Sequence, residues 1–103
     1  MILSVNRYNF RKEVLNSKQL ILVNFWTARS EECKRMRLMM RELDARKMKG
    51  CKIVEVDWEK EKELAEGYGV FGVPTLLVFD EGKLIGRYSG ILRGDEFLQG
   101  LGT

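Results

Sequence analysis

The stretch from Leu20 to Lys34 reads L-I-L-V-N-F-W-T-A-R-S-E-E-C-K, and it decides the fold of this chain. It opens with the apolar run Leu20–Val23, which resumes at Phe25 and is typical of a buried strand. A polar turn follows, and Ser30 then suits the N-cap position of a helix. A buried strand that leads directly into a helix is half of a βαβ unit. It aims the free N–H groups of the helix N-terminus at the edge of a sheet.

Size and composition limit the possible functions. The 103 residues, 45% of them apolar, predict a single domain over residues 1–103 with a modest core. A net charge of +3 gives no strong reason to expect binding to nucleic acid or to a membrane. The first residues, M-I-L-S-V-N-R, do not resemble a secretory signal, so we expect a cytoplasmic protein. The absence of histidine excludes Cys–His and Ser–His catalysis, and with two cysteines it argues against a zinc site, so we expect neither metal nor cofactor.

The order of the apolar and polar segments predicts a β-α-β-α-β-α-β-β-α chain. Parallel strands with helical crossovers in the front half and a hairpin near the end imply a mixed α/β sheet with helices on both faces. Asn6 is a candidate N-cap for the first helix, which ends at Asn16-Ser17. A turn at 80–83 contains Gly82, where a positive φ is expected. The predicted strands are Ile2–Val5, Leu20–Thr27, Cys51–Val56, Thr75–Phe79 and Leu84–Ser89, and the later predicted helices are Glu31–Lys47, a short one within Asp57–Glu66, and Gly94–Leu101.

Two stripes of side chains run along the second predicted helix. The apolar stripe repeats at i, i+3, i+4 and i+7 and is predicted to fill the core. It comprises Met36, Met39, Met40 and Leu43, and Met48 is likewise predicted to fill the core. The basic stripe predicts a solvated face, with contact to an acidic partner as the alternative. It comprises Lys34, Arg37 and Arg41.

Nearly the whole chain resembles the thioredoxin family. V-N-F-W-T-A-R-S-E-E-C-K at Val23–Lys34 is similar to the strand, tryptophan and C-x-x-C-K segment of that family. E-L-A-E-G-Y-G-V-F-G-V-P-T at Glu63–Thr75 is similar to the approach to its cis-proline loop, and F-D-E-G-K at Phe79–Lys83 is similar to its hairpin. The resemblance implies a thioredoxin fold, a sheet of about five strands flanked by four helices.

The reactive segment departs from the family pattern. Ser30 stands where the family has the first, attacking cysteine, and Cys33 occupies the place of the second. A serine hydroxyl stays protonated near neutral pH, and a thiolate is what attacks a disulfide. Asn24 replaces the buried aspartate that the family uses as a base toward the second thiol.

The residues around Ser30 differ from the family as well. Glu31 and Glu32 replace the intervening Gly-Pro, and two carboxylates beside Cys33 disfavour its thiolate because like charges repel. Arg29 replaces the tryptophan before the first cysteine, which alters the surface that faces a partner.

The two cysteines are predicted to lie too far apart for a disulfide. The helix between Cys33 and Cys51 should be about 24 Å long at 1.5 Å per residue, whereas a disulfide needs Cα atoms within about 7 Å. Cys33 has two interpretations, a monothiol that forms mixed disulfides or a small packing residue. Cys51 is interpreted as a packing residue at the start of a strand.

A partner-binding groove is implied beside Cys33. The resemblance implies a cis peptide bond before Pro74, so that the loop 73–75 offers backbone groups to an extended peptide. The residues predicted to contact a partner are Trp26, Arg29, Glu31, Glu32, Phe71, Val73, Pro74, Thr75 and Gly90.

Two functions follow as hypotheses, with a structural scaffold as the third. The first is a monomeric thioredoxin-like module that binds a protein or an extended peptide near Cys33 and Pro74 with little dithiol turnover. The alternative is a thiol-disulfide oxidoreductase with a role in redox homeostasis. It would act either as a monothiol through Cys33 or as a dithiol protein whose first cysteine was mutated to Ser30.

Overall fold

The computed structural model describes residues 2–46 and 49–90 of the chain. Its elements in chain order are β1 (Leu3–Ser4), a π-helix (Arg11–Leu15), β2 (Leu20–Trp26), α1 (Glu31–Ala45), β3 (Cys51–Asp57), α2 (Lys62–Gly67), β4 (Thr75–Asp80) and β5 (Lys83–Ser89). The helix predicted at 94–101 and Met48 lie outside the described residues. None of the helices in the described ranges is long and apolar enough to cross a membrane.

The strands form one sheet in the order β1-β3-β2-β4-β5. Strands β1, β3 and β2 are parallel, whereas β4 pairs antiparallel with β2 and β5 pairs antiparallel with β4. This arrangement confirms the predicted mixed sheet of five strands. The central strand β2 is buried along Ile21–Phe25, as its apolar run predicted.

Side chains alternate across β2, so the sheet has a core on each face. Ile21, Val23 and Phe25 pack on one face with the π-helix residue Val14. Leu22 packs on the other face beneath α1, where it meets the buried stripe of that helix. The predicted core filling by α1 is confirmed for Met36, Met40 and Leu43, which are at most 5% exposed, and Met39 packs partly buried against them.

The first helix begins later than predicted. The Asn6 Oδ1 accepts hydrogen bonds from the N–H groups of Tyr8, at 2.8 Å, and Asn9, at 3.1 Å, in the turn that precedes the helix. The N-cap itself is Phe10, without a side-chain cap, so the predicted cap at Asn6 is wrong in position because the helix begins four residues later. The Asn16 N–H donates to the carbonyl of Arg11, five residues back, which is the spacing of a π-helix.

The β4–β5 turn requires glycine at position 82. Gly82 has φ +79°, and a Cβ built on it would lie 2.3 Å from the backbone oxygen of Leu15. The turn therefore approaches the end of the π-helix more closely than any side chain allows. A register shift after Val78 then leaves Ile85 without a partner on β4, as in a β-bulge.

Candidate functional site

The site begins at the turn between β2 and α1, where Ser30 caps the helix. Ser30 has extended backbone angles, φ −104° and ψ 126°, and its Oγ accepts a hydrogen bond from the Cys33 N–H at 3.2 Å. One of the free N–H groups at the helix N-terminus is thereby satisfied. The predicted N-cap is confirmed, and the hydroxyl at this position has a structural role.

Cys33 lies in the first turn of α1 with its side chain fully buried. Its exposed fraction is 0%, and its Sγ accepts a hydrogen bond from the Thr27 N–H at 3.4 Å. Glu31 and Glu32 lie on the exposed side of the same turn, where Glu31 pairs with Lys34 at 3.2 Å. The two carboxylates therefore face solvent, while the sulfur faces the core.

The second cysteine cannot replace the missing thiol. Cys51 begins β3, after the far end of α1, and both cysteines are free. The pKa of the Cys51 thiol is raised, first by burial and then by the nearby charge of Asp44. Cys51 is therefore both distant from Ser30 and a weaker source of thiolate than an ordinary cysteine.

Asn24 lies at the centre of the sheet beneath the site. It is fully buried, and β2 places it between Glu55 of β3 and Leu76 of β4. Within the described residues no protein group hydrogen-bonds its Oδ1 or its Nδ2. An amide neither takes up nor releases a proton near neutral pH, so Asn24 offers no base to the thiol of Cys33.

A cluster of three side chains covers the end of β2, and the sequence pattern did not reveal it. The Arg37 guanidinium lies 3.8 Å from the centroid of the Trp26 ring. It also donates to both carboxylate oxygens of Glu55, at 3.1 and 2.9 Å. The predicted solvated face is therefore wrong for Arg37, whose side chain is only 27% exposed, because the register of β3 brings Glu55 under the helix.

The turn residue Arg29 contacts a different carboxylate. Its side chain is 85% exposed, and its Nε lies 3.5 Å from a carboxylate oxygen of Glu59. The same carboxylate accepts a hydrogen bond from the Thr27 hydroxyl. Glu59 thus ties the turn to the segment that follows β3 and leaves the Arg29 side chain largely open to solvent.

A concavity lies where the 69–75 loop meets the end of β5. The Val73–Pro74 peptide bond is cis, and the Gly90 N–H donates to the Pro74 carbonyl at 2.9 Å. The Thr75 hydroxyl donates to the Gly72 carbonyl at 2.7 Å. The concavity encloses about 380 Å³, and we call it the Pro74 groove; it is lined by Gly69, Phe71, Gly72, Val73, Pro74, Thr75, Arg87, Ser89 and Gly90.

The structure brings together part of the predicted binding set. Five of its residues line the Pro74 groove: Phe71, Val73, Pro74, Thr75 and Gly90. Four others lie outside the described lining: Trp26, Arg29, Glu31 and Glu32. Sequence reasoning missed Arg87 and Ser89, although the two-residue alternation along β5 could have placed them on one side of the strand.

Comparisons with known proteins agree with this architecture. A thioredoxin of Bacillus subtilis (strain 168) is 35% identical over 69 residues, which are 67% of this chain and 66% of that protein. A thioredoxin of Griffithsia pacifica is 29% identical over 80% of this chain and 75% of its own length. A protein disulfide isomerase-like protein (2-3) of Oryza sativa subsp. japonica is 36% identical over 86% of this chain but only 20% of its own length. The family model described as Thioredoxin matches residues 1–102, and the chain therefore belongs to the thioredoxin family.

Proposed function

We propose that this member of a thiol-disulfide oxidoreductase family binds an extended peptide of a protein partner in the Pro74 groove, with little or no dithiol turnover. The observation that carries this proposal is the state of the two residues at the reactive position. The Ser30 hydroxyl caps α1, and the Cys33 sulfur is 0% exposed. Neither group presents a nucleophile to a disulfide on the surface.

A complete cycle of disulfide reduction within one chain requires two thiols. A thiolate must reach the disulfide, and a second thiol must then release the mixed disulfide that forms. Ser30 cannot take the first role because its hydroxyl stays protonated near neutral pH. Cys33 accepts an N–H from Thr27 in the core, so its attack on a partner would require α1 to open locally.

The Pro74 groove supports the binding half of the proposal. Within the described residues the N–H and C=O groups of Val73 make no hydrogen bond, although the loop is fixed on both sides by bonds from Thr75 and Gly90. Free backbone groups on a fixed loop suit pairing with the backbone of an added peptide. Phe71, 75% exposed beside the groove, adds apolar surface for the side chains of such a peptide.

The alternative function is monothiol exchange through Cys33. It is favoured by the relatives, which bear the names thioredoxin and protein disulfide isomerase-like protein. The same relatives would be expected for a dithiol protein whose first cysteine was mutated to Ser30. The cytoplasmic location and the monomeric state stay predictions that accompany either function.

One experiment separates binding from turnover. The reduced protein is incubated with insulin and dithiothreitol, and the precipitation of reduced insulin is followed. We expect a rate equal to the reagent background, and an unchanged rate in Cys33→Ser. A rate well above background that disappears in Cys33→Ser but persists in Cys51→Ser would establish the monothiol alternative instead. Robust reduction by Ser30→Cys alone would favour the mutated dithiol protein.

A second experiment tests the groove directly. Random peptides displayed on phage are selected on the wild-type protein, and the affinities of selected peptides are measured by fluorescence polarisation. Gly72→Trp should weaken binding by at least about tenfold, which corresponds to 1.4 kcal/mol, because the ring fills the groove. A Cβ at Gly72 meets no atom within 4 Å, so the variant should fold.

The matched control is Gly67→Trp, where an added Cβ is equally free and the residue lies outside the described lining of the groove. Equal loss of binding in both variants, or no loss in either, would place the peptide elsewhere. Failure to enrich any peptide above a mock selection would refute the binding proposal.

A further inference from the structure

Arg87 is the one ionisable residue among the described residues that line the Pro74 groove. It lies on β5, is exposed, and projects next to Ser89 on the same side of the strand. The other lining residues are glycines, apolar residues and the hydroxyl residues Thr75 and Ser89. The electrostatic character of the groove is therefore set by a single positive charge.

The guanidinium of Arg87 is held in place without being neutralised. Its Nη1 donates to the carbonyl of Gly69 at 3.3 Å, and its Nη2 donates to the carbonyl of Tyr68. Gly69 adopts φ +69°, a conformation that favours glycine, and a Cβ there would make only an ordinary van der Waals contact with Nη2, at 3.6 Å. Over residues 2–46 and 49–90, Arg87 forms no ion pair with a carboxylate.

The remaining N–H groups of Arg87 are thus fixed in position and open to a ligand. A guanidinium presents five donors, of which the two carbonyls engage two, and its geometry matches that of a carboxylate. A peptide that lies along Val73 places its side chains alternately to the two sides, so some of them point toward β5. Since no acidic lining residue competes for Arg87, an acidic side chain of the peptide would be its nearest counter-ion.

We propose that Arg87 makes the Pro74 groove selective for extended peptides that carry an Asp or Glu side chain. This inference rests on the proposed peptide binding and specifies the chemistry of the partner. The specificity is electrostatic, so it is expected to weaken with salt, while the backbone and apolar contacts made by Val73 and Phe71 persist. The net charge of +3 also attracts an acidic peptide weakly.

The test compares peptides selected from one displayed random library by three proteins: wild type, Arg87→Gln and Lys83→Gln. Lys83 is the matched control because it is an exposed cation on the same strand outside the described lining. Wild type and Lys83→Gln should enrich Asp and Glu over the input library, whereas Arg87→Gln should enrich peptides without that bias. The displayed peptides are joined to the coat protein at their C-termini, so an enriched carboxylate comes from a side chain.

The affinity of one selected peptide is then compared with that of its Glu-to-Gln analogue. Wild type should prefer the Glu peptide by about fivefold, the upper range for an exposed ion pair, and Arg87→Gln should bind both equally and about as tightly as wild type binds the Gln analogue. Selection of peptides without acidic bias by the wild type would overturn this inference and leave peptide binding intact. Selection of no peptide would overturn both proposals. An acidic bias retained in Arg87→Gln would assign the selectivity to another cation.

Discussion

The pair formed by Arg37 and Glu55 should be one of the stronger polar interactions of this fold, and a double-mutant cycle measures it. Two hydrogen bonds of 3.1 and 2.9 Å join the guanidinium to the carboxylate. The side chains are only 27% and 14% exposed, so solvent screens the pair weakly. A hydrogen bond to a charged group contributes about 1.5–3 kcal/mol net, and we expect a coupling free energy in that range.

Each single substitution should lower the free energy of unfolding by more than the coupling free energy. Arg37→Met removes the bidentate pair and leaves the mostly buried carboxylate of Glu55 without this partner. It also removes the contact of the guanidinium with the Trp26 ring, and that contact contributes about 0.5–2 kcal/mol. We expect a loss of about 2–4 kcal/mol in the free energy of unfolding. Arg37→Lys should lose most of the same amount, because an ammonium keeps the charge but neither the fork nor the planar stack.

The assay is urea unfolding of wild type, Arg37→Met, Glu55→Met and the double variant, followed by the fluorescence of Trp26 and Trp58 and by circular dichroism. The control cycle uses Glu31 and Lys34 on the same helix, which lie 3.2 Å apart but are 77% and 58% exposed. That pair should couple by at most about 0.5 kcal/mol. In about 1 M NaCl the control coupling should vanish, while the coupling of Arg37 with Glu55 should largely persist. An Arg37–Glu55 coupling no larger than the control would refute the inference that burial strengthens this pair.

Three further predictions follow from single contacts. Ser30→Ala removes the N-cap of α1 and should lower the free energy of unfolding by about 1 kcal/mol, which corresponds to a fall of about 4–8 °C in Tm measured by calorimetry. An unchanged Tm would contradict the capping role. Asn24→Leu replaces a buried amide, to which no group among the described residues hydrogen-bonds, with an apolar group of the same branching. It should raise the free energy of unfolding by about 1–3 kcal/mol, whereas Asn16→Leu at an exposed position should change it by less than about 0.5 kcal/mol; a loss at position 24 would show that the amide is hydrogen-bonded in solution. The hydrogen bond from Lys52 lowers the pKa of Glu13 below its ordinary value, so the pair stabilises the fold above that value and the stabilisation is lost as the pH falls through the folded pKa. The urea midpoint of wild type should exceed that of Glu13→Gln by less on acidification, and a difference that grows would contradict this sign.

The parts of the fold that could be predicted are those whose causes are local in the chain. Three features have structural roles that are set by residues a few positions away: the apolar run of β2, the serine that caps α1 and the glycine in the turn at position 82. Their physical requirements therefore appear directly in the sequence. The close approach of Gly82 to Leu15 was not visible there, although the turn that demands a glycine was.

The parts that could not be predicted depend on residues distant in the chain. Arg37 has the spacing of a solvated helix face, and only the register of β3 brings Glu55 beneath it. Arg87 likewise meets the carbonyls of Tyr68 and Gly69 because β5 returns beside the loop that precedes β4. A periodic pattern reports which side of an element a residue occupies, but it does not report what the neighbouring element places there.

The changes at the reactive position are of one physical kind, which agrees with the proposal that the Pro74 groove binds a peptide without dithiol turnover. Relative to the family pattern that the chain resembles, Ser30 and Asn24 each replace a reactive or ionisable group with one of nearly the same shape that carries no charge near neutral pH. A hydroxyl is a strong helix cap, and a buried amide costs less than a buried carboxylate, so neither change weakens the scaffold. The fully buried sulfur of Cys33 fills the space under the first turn of α1 whether or not it reacts. Within the described residues the hydrogen bonds of the loop around Pro74 come from Thr75 and Gly90 and from none of these three side chains, so the proposed peptide binding does not require a reactive thiol.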